Sequence, residues 1–289
     1  MRVLVHLSDL HFGRTEPVLI EPLVAFIKAT QPDLIAISGD LTQRARTAQF
    51  MEAQRFMQTL PFPLLVVPGN HDIPLHNLFA RFARPLCKYR RYISDDLAPV
   101  FSDGEIAVAG VNTARSLTRK YGRINERQIR RLSEWFGNFG NQVTKIVVTH
   151  HPFDLPPGYE DHNQLVGRAE HAMKALAASQ VDLLLSGHLH LTHTALTASR
   201  YKITGHSALV VQAGTATSTR GRGEANSFNI LRIQSGSIAV ERILWNAESK
   251  DFHSALTATF TRTAAGWKQE EAQRGDPSSS SSRFFKTDA

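Results

Sequence analysis

Short apolar runs recur along the first 190 residues, and each one stops at polar or small residues. They read "RVLVHLSD", "DLIAISGD", "PLLVVPGN", "IAVAGVNT", "KIVVTHHP" and "DLLLSGHLH". They are rich in Val, Ile and Leu and show no alternation, which is the signature of strands buried on both faces. Helical patterns fall between several of them. Residues 16–30 place Val18, Leu19, Leu23, Phe26 and Ile27 on one stripe, and residues 47–60 place Phe50, Met51, Ala53, Phe56, Met57 and Leu60 on another. Further helices are predicted over 125–136, with Asn125 as N-cap, and over 167–179. Strands alternating with helices make βαβ units, so the chain is predicted to be a layered α/β protein.

After about residue 190 the texture changes to consecutive strands, "LTHTALTAS", "SALVVQAGTA", "SFNILRIQSGS" and "IAVERILW", with a hairpin at Ser235–Gly236–Ser237. These predict a second, largely antiparallel sheet. Residues 269–289 are polar and Ser-rich and are expected to be a disordered tail, leaving 1–268 as the folded domain. The single cysteine, Cys87, excludes an internal disulfide and is read as structural. The apolar start of the chain is too short for a signal peptide and is read as the first strand. With no transmembrane run and no export signal, the cytoplasm is the expected location.

The strand ends repeat one chemistry: Asp9 and His11, Asp40, Asn70 and His71, His150 and His151, His188 and His190. In open α/β sheets, ligands bind beyond the carboxyl ends of the strands. Residues i and i+2 of an extended segment share a side, so Asp9 with His11, and His188 with His190, are expected to act as paired jaws. Singly, a Gly-Asp is an ordinary turn and a buried histidine an ordinary core residue. As an ordered set, His, Asp and Asn suit first-row transition metals better than calcium or thiolate zinc. The donors are too many for one ion, so two ions sharing a carboxylate are expected. With few carboxylates among the donors, such a centre stays positive and attracts phosphate.

"SDLHFG", "SGDLT", "VPGNHD", "THHP" and "SGHLHLT", in that order, resemble the calcineurin-like metallophosphoesterases over about residues 3–194. Within that superfamily the resemblance is nearest to bacterial class III cyclic-nucleotide phosphodiesterases. It implies a four-layer α/β/β/α sandwich of two packed mixed β-sheets flanked by helices. It implies one metal held by Asp9, His11, Asp40 and His190 and a second by Asp40, Asn70, His150 and His188, with Mn, Fe or Zn as the ions. His71 is then expected to face the substrate, stabilising phosphoryl charge or protonating the leaving oxygen. Asp72 is expected to orient the His71 ring, and Gly69 to turn the chain off its strand. A metal-bound hydroxide would attack phosphorus directly, with no covalent phospho-enzyme.

The net charge of +7 favours an anionic ligand. His151, Arg115 in "NTARSLTRKYGRIN" and Arg220 in "GTATSTRGRGEANSF" are candidate substrate-binding residues, alongside Arg119, Lys120, Arg123 and Arg222. The leading expectation is a phosphodiesterase acting on small molecules, cyclic nucleotides first. Alternatives are a lipid or nucleotide-sugar pyrophosphohydrolase of the UDP-diacylglucosamine type, with "HNLFARFARPL" either lining an acyl groove or packing as an ordinary helix; a nuclease, supported only by charge; and a non-catalytic interaction scaffold, against which the full ligand set argues. A homodimer is left open.

Overall fold

A computed structural model describes residues 1–221, 223–270 and 272–274. In chain order the elements are β1 (Arg2–Leu7), α1 (Ile20–Thr30), β2 (Leu34–Ile37), α2 (Thr47–Gln58), β3 (Leu64–Val66), α3 (Leu78–Ala83), α4 (Cys87–Tyr92), β4 (Val100–Ser102), β5 (Ile106–Val111), α5 (Glu126–Phe136), β6 (Thr144–Thr149), α6 (Ala169–Ala178), β7 (Leu183–Ser186), β8 (His193–Leu196), β9 (Leu209–Gln212), β10 (Ser227–Gln234), β11 (Ser237–Asn246), β12 (Asp251–Thr263), β13 (Gly266–Gln269) and β14 (Gln273–Arg274).

One sheet runs β13-β12-β11-β10-β1-β2-β3, with β14 also on β12; the other runs β4-β5-β6-β7-β9-β8. Strands β1, β2 and β3 pair in parallel, as do β5, β6, β7 and β9, while the remaining pairings are antiparallel. The late strands therefore do not form a sheet of their own. Strands β10 to β14 extend the β1 sheet, and β8 and β9 complete the other. A run of hairpins can add to the free side of β1 because its other side is taken by β2, and period-2 patterning does not say which edge a hairpin will join.

The two sheets face each other across an apolar layer containing Leu4, Ala36 and Val67 from one and Val108, Val148 and Leu185 from the other. Helices α1 and α2 cover the outer face of the β1 sheet through Leu23, Ile27, Phe50 and Phe56, while Ile129 and Phe136 of α5 and Met173 of α6 cover the other. That is the expected four-layer sandwich. Strands β1, β2, β5, β6 and β7 are buried on both faces because each sheet is covered twice, which explains their continuous apolar runs. Each fully buried aliphatic contributes roughly 1.5–3 kcal/mol. Asn125 caps α5, accepting a hydrogen bond from Gln128 N at 2.9 Å.

Part of the stretch expected to be a disordered tail is ordered. Gln269 ends β13, and Gln273–Arg274 pair with Thr257 and Leu256 of β12. Residue 271 and residues 275–289 of that stretch lie outside the described residues. Of the two readings of the α3 segment, ordinary inward packing does not hold: Leu78, Phe79 and Phe82 are 63%, 79% and 55% exposed. Cys87 is exposed at the start of α4.

Candidate metal centre

The loops that leave β1, β2, β3, β6 and β7 converge at one end of the sandwich. The parallel neighbours within each sheet place their carboxyl ends side by side, and direct hydrogen bonds join the two sheets there. His150 Nδ1–H donates to Ser38 O at 2.8 Å, and His188 N–H donates to Asp9 Oδ2 at 2.9 Å.

Two groups of donors result. In the first, Asp9 Oδ2 is occupied by Ser8 Oγ at 2.7 Å and by the His188 amide. Asp9 Oδ1 is buried with no hydrogen-bond partner among the described residues. It lies 3.2 Å from His190 Nε2 and 3.6 Å from His11 Nε2, and those two nitrogens stand 3.1 Å apart. His190 Nδ1–H donates to Arg220 O at 2.9 Å, which leaves Nε2 as the lone-pair face. In the second group, His150 Nε2 lies 3.1 Å from Asn70 Oδ1, 3.3 Å from His188 Nδ1 and 3.4 Å from Asp40 Oδ2. Ser38 O fixes the His150 tautomer, and Gln164 Oε1 accepts from His188 Nε2–H at 2.8 Å, so the free nitrogen of each ring faces the group. Asn70 donates its amide to Arg119 O at 3.3 Å, which aims its oxygen inward.

Asp40 belongs to both groups, since its Oδ2 is also 3.8 Å from His11 Nε2. Its Oδ1 accepts from the His71 amide at 2.8 Å. Orphaned carboxylate oxygen, facing imidazole nitrogens and rings oriented through their outer N–H groups are what metal ligation requires. The residues present therefore fit cations held between them, one beside Asp9 and one beside Asn70. His11 differs from the other rings in that its Nδ1 is buried without a partner among the described residues.

The backbone is bent to make this fit. Asp9, His11, Asp40, His188 and His190 have φ of 52°, 49°, 51°, 75° and 57°. The expected extended jaws are therefore wrong in detail. Each pair is presented by left-handed residues around a buried Leu10 or Leu189. Such conformations cost of order 1–3 kcal/mol each and persist where surroundings over-determine them. Gly69 also differs from expectation. Its φ of −102° and ψ of −177° need no glycine, but a Cβ there would overlap Asp40 Oδ1 and the Asp40 amide. Gly39 does need its freedom: its φ is +94°, and a Cβ there would lie only 2.7 Å from His150 Nδ1.

The charges respond to the crowding. Burial works against the Asp9 and Asp40 carboxylates, yet the neighbouring histidines hold both below the usual carboxylate range. Burial would likewise lower His150, but the Asp40 carboxylate beside it lifts it to about 9. Burial and the histidines around it push His188 well down, which keeps its ring neutral.

His71 is half-buried at the rim. Its Nδ1–H donates to Gln43 O at 2.8 Å and its Nε2 accepts from Arg220 Nη1 at 3.0 Å. Asp72 does not touch that ring. It accepts from Gly69 N at 2.9 Å, Leu41 N at 3.2 Å, Thr42 N at 2.9 Å and Thr42 Oγ1 at 3.0 Å, and so staples the loop after β2 to the loop after β3. Burial and the charge of Asp40 raise Asp72 to about 7. The three-residue 3₁₀ turn at Asn70–Asp72 points successive side chains different ways, which separates the carboxylate from the imidazole.

The substrate candidates divide. Arg220 reaches the site through His71. Arg115 does not: it donates to Asn112 O, Ala114 O and Gln128 Oε1 at 3.1, 2.9 and 2.9 Å, tying its own loop to the start of α5. His151 is fully buried; its Nε2–H donates to Lys120 O at 3.0 Å and its Nδ1 accepts from Thr113 Oγ1 at 2.8 Å. Both nitrogens are taken, so His151 has none to offer a substrate or an ion, although it stands beside His150 and His188. The segment 112–125 reaches the centre with its main chain, Arg119 O accepting from Asn70 and Lys120 O from His151. Arg222 lies outside the described residues. Sequence reasoning missed Gln43, Gln164 and Ser38, which orient the imidazoles; two of the three act through backbone carbonyls, for which side-chain identity carries no signal.

A family model described as calcineurin-like phosphoesterase matches residues 2–191. The glycerophosphodiester phosphodiesterase GpdQ of Enterobacter lignolyticus is 25% identical over 212 residues, covering 65% of this chain and 70% of that protein. The 3',5'-cyclic adenosine monophosphate phosphodiesterase CpdA of Escherichia coli K12 is 23% identical over 199 residues, covering 65% and 69%. Among solved structures, the purple acid phosphatase PPD1 of yellow lupin superposes with a TM-score of 0.66 at 11% identity over 90% of this chain, which spans only 53% of the lupin chain. A dimetal phosphatase from Danio rerio superposes with a TM-score of 0.61 at 13% identity, covering 88% of this chain and 98% of that one. The structural likenesses speak for the fold. The family model, which spans well over half of the sequence and takes in every donor of the two groups, carries the assignment: the chain belongs to the calcineurin-like phosphoesterase family.

Proposed function

We propose that the protein is a metal-dependent hydrolase of phosphodiesters, working with two transition-metal ions such as Mn, Fe or Zn. One observation carries this reading. Asp40 stands between a group of Asp9, His11 and His190 and a group of Asn70, His150 and His188, with donor atoms of each group 3.1–3.6 Å apart. When bound, the ions would supply an activated water and positive charge for the phosphoryl oxygens.

The chain's own residues would do the rest. Only two of the seven donors are carboxylates, so the occupied centre keeps positive charge and draws an anionic phosphodiester. Asn70 contributes a neutral oxygen and adds no repulsion towards phosphate. Ser38 O, Arg220 O and Gln164 hold the His150, His190 and His188 rings in place, which keeps the donors pre-arranged rather than assembled at the moment of reaction. His71 and Arg220 lie where the reacting phosphoryl meets solvent. Arg220 offers a bidentate grip on phosphate oxygens, and His71 Nε2, once released by Arg220, faces the leaving oxygen.

Two relatives carry names that include glycerophosphodiester and cyclic adenosine monophosphate phosphodiesterase. Both support a phosphodiester over a monoester. The test is a manganese-loaded assay on bis-aryl phosphate, aryl monophosphate, cyclic AMP and glycerophosphodiesters. Diesters are expected to lead; a ranking led by the monoester overturns the substrate class.

A second reading draws on one observation. Leu78, Phe79 and Phe82 of α3 and Leu117 of the 112–125 segment are all exposed, and Arg81 Nη1 ties α3 to Pro74 O at 3.2 Å, just beyond Asp72. An apolar surface near the centre suits a lipid-linked pyrophosphate. Hydrolysis of a UDP-sugar lipid in the same panel, faster than any small diester, would favour it.

A further inference from the structure

A second pocket opens beside the metal centre, and it is lined by arginines. Its volume is about 420 Å³, and Arg14, Arg44, Arg46 and Arg220 share its wall with Gln43 and Gln49. Among the described residues no carboxylate lines it. Among the described residues none of the four guanidinium groups makes an ion pair. Like charges gathered this closely repel, and Arg220 feels both Arg44 and Arg14, although the Asp40 and Asp9 carboxylates of the centre act on it more strongly in the opposite sense.

The fold holds the cluster together regardless. Gln49 Oε1, in the first turn of α2, accepts from Arg44 N at 2.9 Å and Arg46 N at 3.3 Å. Between these two, Ala45 is held at φ 49°, its amide bonded to Thr42 Oγ1 at 3.1 Å and its carbonyl to Lys88 Nζ at 3.0 Å. Arg14 follows Gly13, where a Cβ would overlap the Gln49 amide. The pocket also lies at the start of the twelve-residue α2, whose N-terminus adds to its positive field. The pocket meets the centre through Arg220, which contacts His71 Nε2 at 3.0 Å and Gln43 Oε1 at 3.5 Å, and whose carbonyl holds His190.

We propose that this arginine pocket binds a second phosphate of the substrate, so that the preferred substrates are small phosphodiesters carrying a further phosphate beyond the scissile one. The inference rests on the phosphodiesterase reading and narrows it. A simple cyclic nucleotide has one phosphate and would leave the pocket unused. A substrate with two places one across the ions and the other among Arg14, Arg44 and Arg46, with Arg220 between them. Arginine suits this because its planar fork grips phosphate oxygens in pairs.

The test compares thymidine 5'-(p-nitrophenyl phosphate) with the same compound bearing a 3'-phosphate, on the manganese-loaded enzyme and on R44Q/R46Q. The wild type is expected to show at least tenfold higher kcat/KM for the phosphorylated compound, and the variant is expected to lose most of that ratio. Equal kcat/KM for the two compounds in the wild type overturns the proposal, as does an undiminished ratio in the variant. A single-stranded oligonucleotide cleaved faster than either compound overturns it in favour of a nuclease. If no diester is hydrolysed at all, the phosphodiesterase reading has failed. Calorimetry with thymidine 3',5'-bisphosphate then decides the pocket by itself: a tenfold weaker Kd in R44Q/R46Q upholds it, and an unchanged Kd overturns it.

Discussion

His150 Nε2 and Asn70 Oδ1 approach to 3.1 Å from opposite sheets of the sandwich, one from the end of β6 and the other from the loop after β3. Neither has to move to share a ligand. The same is true across the centre, where Asp40 lies within 3.8 Å of a nitrogen from each group. A pair of ions held there would therefore depend on Asp40 more than on any other side chain.

Asp40→Asn is expected to weaken both metal sites together. The amide loses the charge that serves both histidine groups. Metal analysis should fall from about two ions per chain to well under one, with turnover down at least 100-fold. Full retention of one ion would show that Asp40 serves a single site.

His71→Ala should leave the metal content intact, because among the described residues the ring's hydrogen bonds go to Gln43 O and Arg220, and it meets His11 only edge-on, with ring centroids 4.9 Å apart. Turnover on an aryl phosphodiester is expected to fall by about 100-fold, in the range that positioned acid–base groups contribute. An unchanged rate removes His71 from the chemistry.

Asp72→Ala is expected to act on stability first. It strands four hydrogen-bond donors of the loops after β2 and β3 inside the protein, at a cost of about 3–5 kcal/mol. Thermal unfolding should drop by many degrees. A stable Asp72→Ala protein with lost activity would instead favour a part for this carboxylate in the chemistry.

The acid limb of stability should depend on Arg200. Burial disfavours the Asp154 carboxylate, but His193, Arg200 and the Leu155 amide hold it below its ordinary value of 3.8. A carboxyl held low in the folded state adds stability above its unfolded value, and loses it as pH falls through the folded value. Arg200→Met should thus destabilise by about 1–3 kcal/mol at neutral pH, with the gap to wild type closing below about pH 4. A gap constant from pH 7 to pH 3, measured by denaturant unfolding, contradicts this.

Much of this centre was legible from residue types alone. Asp9, His11, Asp40, Asn70, His150, His188 and His190 end apolar runs, and such ends must gather where parallel strands gather. What failed was local geometry. The left-handed backbone at Asp9 and His188 is imposed by contacts between loops 179 residues apart, such as His188 N to Asp9 Oδ2, and no window of sequence contains both. Asp72 follows His71 directly, so the two read as partners, yet a single 3₁₀ turn sends them apart. His151 reads like His150, and only the carbonyl of Lys120 and the hydroxyl of Thr113 distinguish a filled ring from a free one. The arginines at 14, 44, 46 and 220, which make no ion pair among the described residues, are ordinary surface residues in sequence and become a cluster only after β1, β2 and the loop after β9 are assembled.

The most direct measurement is anomalous diffraction from crystals grown with manganese. Two peaks are expected, one touching Asp9, His11 and His190, the other touching Asn70, His150 and His188, with the Asp40 carboxylate reaching both. A single peak, no peak, or one bound through His151 would contradict a bridged pair of ions and the phosphodiester chemistry built on it.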